Sequence, residues 1–448
     1  NVRMTGPRPR RVAIVVLGEI GQSRRMQLHA RALVEHGAFV DVIAYAGRIT
    51  PDWLRSHPRI MIWPLPAPAW AGRHRAPRFV FTIYSVLRLA RVAWSLLWTL
   101  TMRTRTPDVV LIQTPPSVPA MPLGLLAARL RGAMTIIDWH NHGHTILALH
   151  LGARHWAVRL MSWSERAFGR LAPRHLCVSE ALARDLDARW GIPGAVVLYD
   201  RSPHRFHEPA ESKRRRLSEF LSEILAPDMA LACAAGARDR PALLVSPTSW
   251  TADEDFTLLL DALEHCDAAI VRAENAAKRR LFPDIVVLIT GNGPTRRLHE
   301  RRIASLALHR IAVRTAWFPD DVFPVVLGFC DLGVCLHVSS SGLDLPMKIA
   351  EMQGVNLPVC AYDYGPCLAE MFDAGTTGLL FRDSATLSGQ IRSLLRGFPD
   401  ADTLAAMRDA LRAKPRRNWE AEWHDVAAPV FGLGPRQGAR AGGARPSP

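Results

Sequence analysis

The chain has 448 residues, 48% hydrophobic and 22% charged, which excludes a disordered protein and gives enough length for two or three domains with their own cores. A formal net charge of +15 favours an anionic partner. With no zinc-knuckle spacing and no aromatic-basic run, nucleic acid is set aside in favour of a phosphorylated substrate or an acidic membrane surface. The basic residues crowd at Arg3, Arg8, Arg10 and Arg11, at Arg73, Arg75 and Arg78, and at Lys213 to Arg216. Ordinary solvated surface is the plainer reading of each cluster alone. Seven scattered cysteines, an odd number, read as reduced, buried thiols and not as a disulfide framework. The start shows no cleavable signal peptide and no initiator methionine, which leaves room for an anchor upstream of residue 1.

In chain order, Val12 to Leu17 is a continuous apolar run, as a buried parallel strand requires. It enters Gly18-Glu-Ile-Gly-Gln-Ser23, and a helix with Met26, Ala30, Leu33 and Val34 on one face follows, stopping at Gly37. Val40 to Tyr45 is the next strand. Residues 79–102 are the most apolar stretch. Arg88 and Arg91 in its middle argue against a lone lipid-exposed span, and its polar residues recur every three or four positions as one narrow stripe. With Tyr84, Trp94 and Trp98 as interfacial aromatics, it reads as a helix lying in a membrane interface, with a buried inter-domain helix and, after that, a true span as the alternatives. Strands follow at Asp108 to Gln113, Ala133 to Asp138, His175 to Val178 and Val196 to Tyr199, with helices near 120–131, 154–170 and 179–190.

Residues 201–240 change character and read as a linker with one basic helix. A second alternation begins at Ala242 to Ser246, then helix 254–265, strand Asp284 to Thr290, strand 331–336, Val359 to Tyr362 and Gly378 to Phe381. The expected architecture is α/β: two Rossmann-like domains facing across a cleft, at 11–200 and 241–395. Closing helices over 396–432 and a disordered tail over 433–448 complete it.

Five segments carry candidate chemistry. Gly18 and Gly21 let a ligand approach the backbone after the first strand, and Glu19 stands there as a base or acceptor ligand. A plain tight turn is the alternative, and the spacing disfavours a dinucleotide. Ile136-Ile-Asp-Trp-His-Asn141 delivers Asp138, His140 and Asn141 to the C-terminal end of a strand, where open α/β sheets bind ligands, and a histidine beside a carboxylate suits general-base work. The alternation His140, His142, His144 also fits zinc, but no further ligand is evident and no metal site is expected. Ser246-Pro-Thr-Ser-Trp-Thr251 offers Ser249 to phosphate oxygens and Trp250 as a wall, while Thr251 with Glu254 also reads as a capping box. Gly291 and Gly293 open a helix after a strongly apolar strand.

His337-Val-Ser-Ser-Ser-Gly-Leu-Asp-Leu-Pro-Met-Lys-Ile-Ala-Glu351 is the richest segment. It places Ser339, Ser340, Gly342 and Asp344 on a loop before a helix beginning near Pro346, with Lys348 and Glu351 on one helix face. Helix N–H groups and a lysine suit a diphosphate, and a carboxylate one turn on suits sugar hydroxyls.

These phrases carry a likeness. Gly18-Glu-Ile-Gly-Gln-Ser with Arg25-Met26, Thr114-Pro-Pro-Ser-Val-Pro119, Ile136 to Asn141, Leu198-Tyr-Asp-Arg201, Thr248-Ser-Trp-Thr251 and Ser339 to Lys348 run in colinear order. From residue 11 to about 425 the chain resembles the chitobiosyldiphosphodolichol β-mannosyltransferase family, with a GT-B fold. The resemblance implies GDP-mannose as donor, dolichol-linked chitobiosyl diphosphate as acceptor, and a β-1,4 linkage made with inversion. His140, Glu19 and Asp138, in that order, are the candidate bases. Lys348, Ser249 and the 339–342 loop hold the diphosphate, Glu351 binds donor hydroxyls, and Gly18, Gly21, Arg25 and Asn141 serve the acceptor. Asp344 lies one residue from the first acidic position of related retaining enzymes, which leaves its role open. The resemblance further implies no tightly bound cofactor, divalent-cation dependence to be measured, assembly with other mannosyltransferases of the pathway, and the cytosolic face of the endoplasmic reticulum membrane. Two other readings stand beside it: a GT-B enzyme using another nucleotide sugar, and a non-catalytic membrane scaffold for sister enzymes.

Overall fold

A computed structural model of the chain describes residues 9–47, 50–66, 78–202, 221–222, 238–251, 254–319, 322–415 and 417–434. Most of the 201–240 linker, the clusters at 73–75 and 213–216, and the tail from 435 lie outside them. Two compact units divide the chain: Asn1–Tyr199 with Glu420–Pro448, and Asp200–Trp419.

The first unit holds a seven-stranded parallel sheet. Its strands are β1 (Arg11–Glu19), β2 (Phe39–Tyr45), β3 (Ile60–Leu65), β4 (Val109–Thr114), β5 (Met134–Trp139), β6 (Arg174–Cys177) and β7 (Val196–Val197). They lie in the order β3-β2-β1-β4-β5-β6-β7. Val12 to Val16 of β1 are essentially inaccessible, as an apolar run covered on both faces must be. The helices are α1 (Arg24–Glu35), α2 (Asp52–Ser56), α3 (Arg78–Trp98), α4 (Ala120–Arg131), α5 (Gly143–Leu151), α6 (Trp156–Gly169) and α7 (Glu180–Trp190). Strand order reverses between β1 and β4, which opens a crevice at their C-terminal ends.

Helix α3 covers the expected greasy segment and ends in a π-helical turn over Thr99–Arg103. Val92, Leu96 and Leu100 make its buried stripe, while Trp94 and Trp98 stack on each other and stay exposed. Among the described residues no helix is long and apolar enough to cross a membrane.

The second unit repeats the plan with six parallel strands: β8 (Ala242–Pro247), β9 (Ile285–Thr290), β10 (Ile311–Ala316), β11 (Leu332–Cys335), β12 (Val359–Tyr362) and β13 (Gly378–Phe381), in the order β10-β9-β8-β11-β12-β13. Its helices are α8 (Phe256–Ala277), α9 (Arg296–Ser305), α10 (Phe323–Phe329), α11 (Met347–Gly354), α12 (Ser384–Leu395) and α13 (Asp402–Ala413). Here the order reverses between β8 and β11, the strands that carry the two richest loops. Helix α8 runs to Ala277, well past the expected 265, because Leu259, Leu260, Leu263, Cys266 and Ile270 keep one face in the core.

Strands β3 and β10 were not expected. The chain after α13 continues through Trp419–Glu422 into a short π-helical segment, Trp423–Ala427, which belongs to the first unit. There Trp423 stacks on Phe431, and Arg174 donates to the Pro429 and Val430 carbonyls. The six described cysteines are all buried and unbridged, and burial pushes the thiols of Cys177, Cys266 and Cys360 up to about 12. They are inert core residues.

Candidate active site

In the second unit, the β8 loop and α11 meet at the switch point. Glu254 is 4% exposed, and its two carboxylate oxygens divide their work. One accepts from the Thr248 hydroxyl and, at 3.0 Å, from the Ser249 amide; the other pairs with the Lys348 ammonium. The sequence suggested that Glu254 caps a helix with Thr251. Asp255 is the N-cap instead, accepting from the Thr257 amide at 2.9 Å, and Glu254 turns inward to hold the lysine.

Thr248, Gly291, Lys348 and Glu351 line one cavity of about 190 Å³, with Trp317, Phe318 and Phe323 on its apolar side. Three residues singled out in the sequence thus converge, and the aromatic wall is new. The signal for it was Trp317-Phe-Pro, directly after the C-terminal end of β10.

Trp250 does not wall this cavity. It is wholly buried at φ +51°, stacked at 4.7 Å on Phe256, with its indole N–H donating to the Gly291 carbonyl. Core packing therefore replaces the expected ligand contact. Gly293 has a backbone reason: a Cβ there would sit 1.9 Å from the Ser249 carbonyl oxygen. Gly291 is in the same position against the Thr248 carbonyl.

The 339–344 loop is tied to itself. Asp344 pairs with His337 at 3.0 Å and accepts from the Ser339 hydroxyl, which in turn accepts from the Gly342 amide at 2.8 Å. Asp344 and Ser339 therefore shape the loop, and Gly342 takes the left-handed conformation at φ +74°. Ser340 sits half-buried within it. Pro346 is the N-cap of α11, one residue before the first helical position expected for it.

In the first unit, β5 delivers Asp138 to a fully enclosed position. Arg25, 2% exposed on α1, grips it twice, Nε to Oδ2 at 2.8 Å and Nη2 to Oδ1 at 2.9 Å, and spends Nη1 on the Leu198 carbonyl. His29 and His140 each place Nε2 on Oδ2, at 3.2 and 3.0 Å. Burial alone would raise the Asp138 pKa. The Arg25 charge, with His140 and the histidine hydrogen bonds, outweighs it and holds the carboxyl well below the usual range.

Two expectations change here. Asp138, with no exposure, cannot meet an acceptor hydroxyl, and its carboxylate instead orients His29 and His140. Arg25 is consumed by Asp138 and is a structural partner, not an acceptor ligand.

An ionised carboxylate only accepts, so the His140 Nε2 carries the hydrogen and Nδ1 is the proton-accepting nitrogen. The His140 side chain keeps 23% of its surface accessible. His29 is fixed in the same tautomer from behind, because the Trp423 indole N–H donates to its Nδ1 at 2.9 Å. Burial pushes the His29 pKa down despite the Asp138 contact, so it stays neutral. Sequence reading missed both His29 and Trp423.

Glu19 ends β1, two strands from β5, and packs its carboxylate against Gly47, where a Cβ would come within 2.6 Å of it. Gly18 precedes it within β1, and Gly21 follows in a short 3-10 helix, Ile20–Gln22. Asn141 accepts from the His142 amide at 2.7 Å and is mostly buried.

The three alternating histidines do not share a partner: His142 pairs with Asp185 at 2.8 Å, and His144 with Glu165 at 2.9 Å. His142, His144 and Glu165 do lie within 4.8 Å of one another. Glu165, though, is already bound by the Gly143 amide, His144 and the Ser117 hydroxyl, and so brackets the start of α5.

Residues 21–199 match the family described as a glycosyl transferase 4-like domain. The human chitobiosyldiphosphodolichol beta-mannosyltransferase is 36% identical over 95% of this chain and 93% of that protein. A protein of Arabidopsis thaliana named UDP-glycosyltransferase TURAN is 36% identical over 94% and 97%. The sucrose-phosphate synthase of Thermosynechococcus elongatus superposes with a TM-score of 0.66 over 95% of this chain and 99% of that one. At 15% identity that likeness speaks to fold alone: two Rossmann-like domains of the GT-B type. Identity sustained over nearly the whole length of both proteins makes the chain a member of the chitobiosyldiphosphodolichol beta-mannosyltransferase family, and a glycosyltransferase.

Proposed function

We propose that the chain transfers mannose from GDP-mannose to the terminal GlcNAc of dolichol-linked chitobiosyl diphosphate, forming a β-1,4 bond with inversion. The observation that carries this reading is the Asp138–His140 pair, which leaves Nδ1 as the basic nitrogen of a partly exposed imidazole. The acceptor O4–H proton passes to His140 Nδ1 as the oxygen bonds the anomeric carbon. The bond from that carbon to the GDP oxygen breaks from the opposite face, and GDP departs with the electron pair. Lys348, Ser249 and the amides opening α11 receive the diphosphate charge. Glu351 binds mannose hydroxyls, and Trp317 with Phe318 flanks the nucleotide.

The reading needs no tightly bound cofactor, and chelation in the same assay tests for a divalent cation. It places the protein at the cytosolic face of the endoplasmic reticulum membrane, with α3 in the interface, beside other mannosyltransferases of the pathway. The test is GDP release from GDP-mannose with a chitobiosyl lipid acceptor. Absence of turnover by folded protein would sink it. A second reading, a UDP-sugar donor, draws on the name of the Arabidopsis relative. A thermal-shift comparison decides it: stabilisation by GDP above UDP is expected, and the reverse order favours the second reading.

A further inference from the structure

Of seventeen exposed large apolar side chains among the described residues, fourteen fall between Val86 and Leu171, so one part of the first unit carries nearly all of them. Helix α3 accounts for some. A second group sits on α5 and α6, which pack against each other through a turn at residues 152–155. Leu149 and Leu151 end α5, and Trp156 opens α6 at 69% exposure. Trp156, Leu160 and Trp163 follow at i, i+4 and i+7, one continuous helix face. An apolar tip carrying two exposed tryptophans suits neither water nor a dry core; it suits a lipid headgroup boundary.

The charge is one-sided as well. Arg154, Arg159, Arg166 and Arg170 are exposed on this hairpin. Its one acidic residue from 143 to 171 is Glu165, which is buried and bonded to Gly143, His144 and Ser117. The hairpin therefore presents only positive charge around its apolar tip, complementary to anionic lipid. Helix α5 begins three residues after His140 and, at 1.5 Å per residue, is roughly 14 Å long.

We propose that the α5–α6 hairpin is a second membrane-inserting element. Leu149, Leu151 and Trp156 enter the headgroup–acyl boundary of an anionic bilayer, and Arg154 and Arg159, beside that tip, engage its headgroup phosphates. Its purpose, holding His140 within a short reach of a lipid-borne acceptor, rests on the proposed function; the binding itself does not.

The experiment is flotation of the full chain with vesicles of phosphatidylcholine, alone or mixed with phosphatidylserine. A Leu151→Ser/Trp156→Ser variant should partition about tenfold less to both, from the apolar area removed. An Arg154→Gln/Arg159→Gln variant should lose binding chiefly to the anionic vesicles. Leu298→Ser, on α9 in the second unit, serves as the exposed control and should change nothing. Undiminished flotation of the Leu151/Trp156 variant, or an equal loss in the control, overturns the proposal. So does sedimentation showing a self-associated wild type that this variant dissociates while its flotation persists. Because the altered side chains are exposed, the melting temperature should stay unchanged. Turnover of a short-chain acceptor in detergent should be retained by the variant. A wild type that floats without turnover would instead count against mannosyl transfer and leave the membrane tip standing.

Discussion

Trp423 donates its indole hydrogen to Nδ1 of His29 at 2.9 Å, across 394 positions of sequence. Through His29 Nε2 that bond reaches Asp138, and through Asp138 it reaches His140. Trp423→Phe keeps most of the packing and removes only the donor. His29 Nδ1 then sits buried without its partner, at a cost of about 1–3 kcal/mol in stability. The distinguishing readout is the pH profile of kcat, which should move for Trp423→Phe and stay in place for a core change of similar cost such as Leu33→Val.

His140→Ala should lower kcat by about 10²–10⁴, the usual range for a lost general base, with a smaller effect on GDP binding. Glu19→Gln separates the two candidate bases. A loss as large as that of His140→Ala would move the assignment to Glu19. Single-turnover kinetics at saturating donor make the comparison.

Arg25→Ala leaves the Asp138 carboxylate buried without its strongest partner, and a cost of about 3–5 kcal/mol is expected, read by urea denaturation. The pH dependence of Asp138 has a definite sign. Its folded pKa lies well below the unfolded one, so its contribution is present above the unfolded value and is lost as the pH falls through the folded value.

His175 has the opposite chemistry and the same direction. Burial pulls its pKa down to about 4, with the Ala172 carbonyl opposing, so the unfolded chain binds the proton first as acid is added. Its contribution is complete above pH ~6.5, erodes below that, and amounts to about 3 kcal/mol lost by pH ~4. Calorimetry between pH 7 and 4 should show the melting temperature falling, less steeply for His175→Gln.

Lys348→Met should weaken GDP binding about tenfold or more by removing the cation opposite the diphosphate, measured by titration calorimetry. It also leaves Glu254 buried without a cation. Lys348→Met with Glu254→Gln should therefore recover stability without recovering affinity, which separates a binding role from a structural one.

Much of the fold was readable because buried parallel strands are unbroken apolar runs, as at Val12–Leu17 and Ile285–Thr290. The two missed strands are both sheet edges. β3 is apolar throughout, Ile60 to Leu65, but carries Pro64, which speaks against a strand, and β10 breaks its apolar run with Arg314 and Thr315. Lys348, Glu351 and Gly291 were legible from loops that follow strands. Glu254 was misread because its spacing from Thr251 imitates a cap, and only the tertiary structure turns it toward Lys348. His29 and Trp423 had no local signature at all; a hydrogen bond spanning nearly the whole chain leaves no periodicity to find.

The return of residues 420–434 to the first unit has a consequence for synthesis. On the ribosome, strands β1 to β7 emerge long before Trp423, yet the hydrogen bond that holds His29 from behind forms only once that indole arrives. The first unit can gather its sheet early but acquires its finished active-site hydrogen bonds last, after the entire second unit has been made. A nascent chain paused within the second unit would therefore hold a formed sheet in which the indole donor to His29 has yet to arrive.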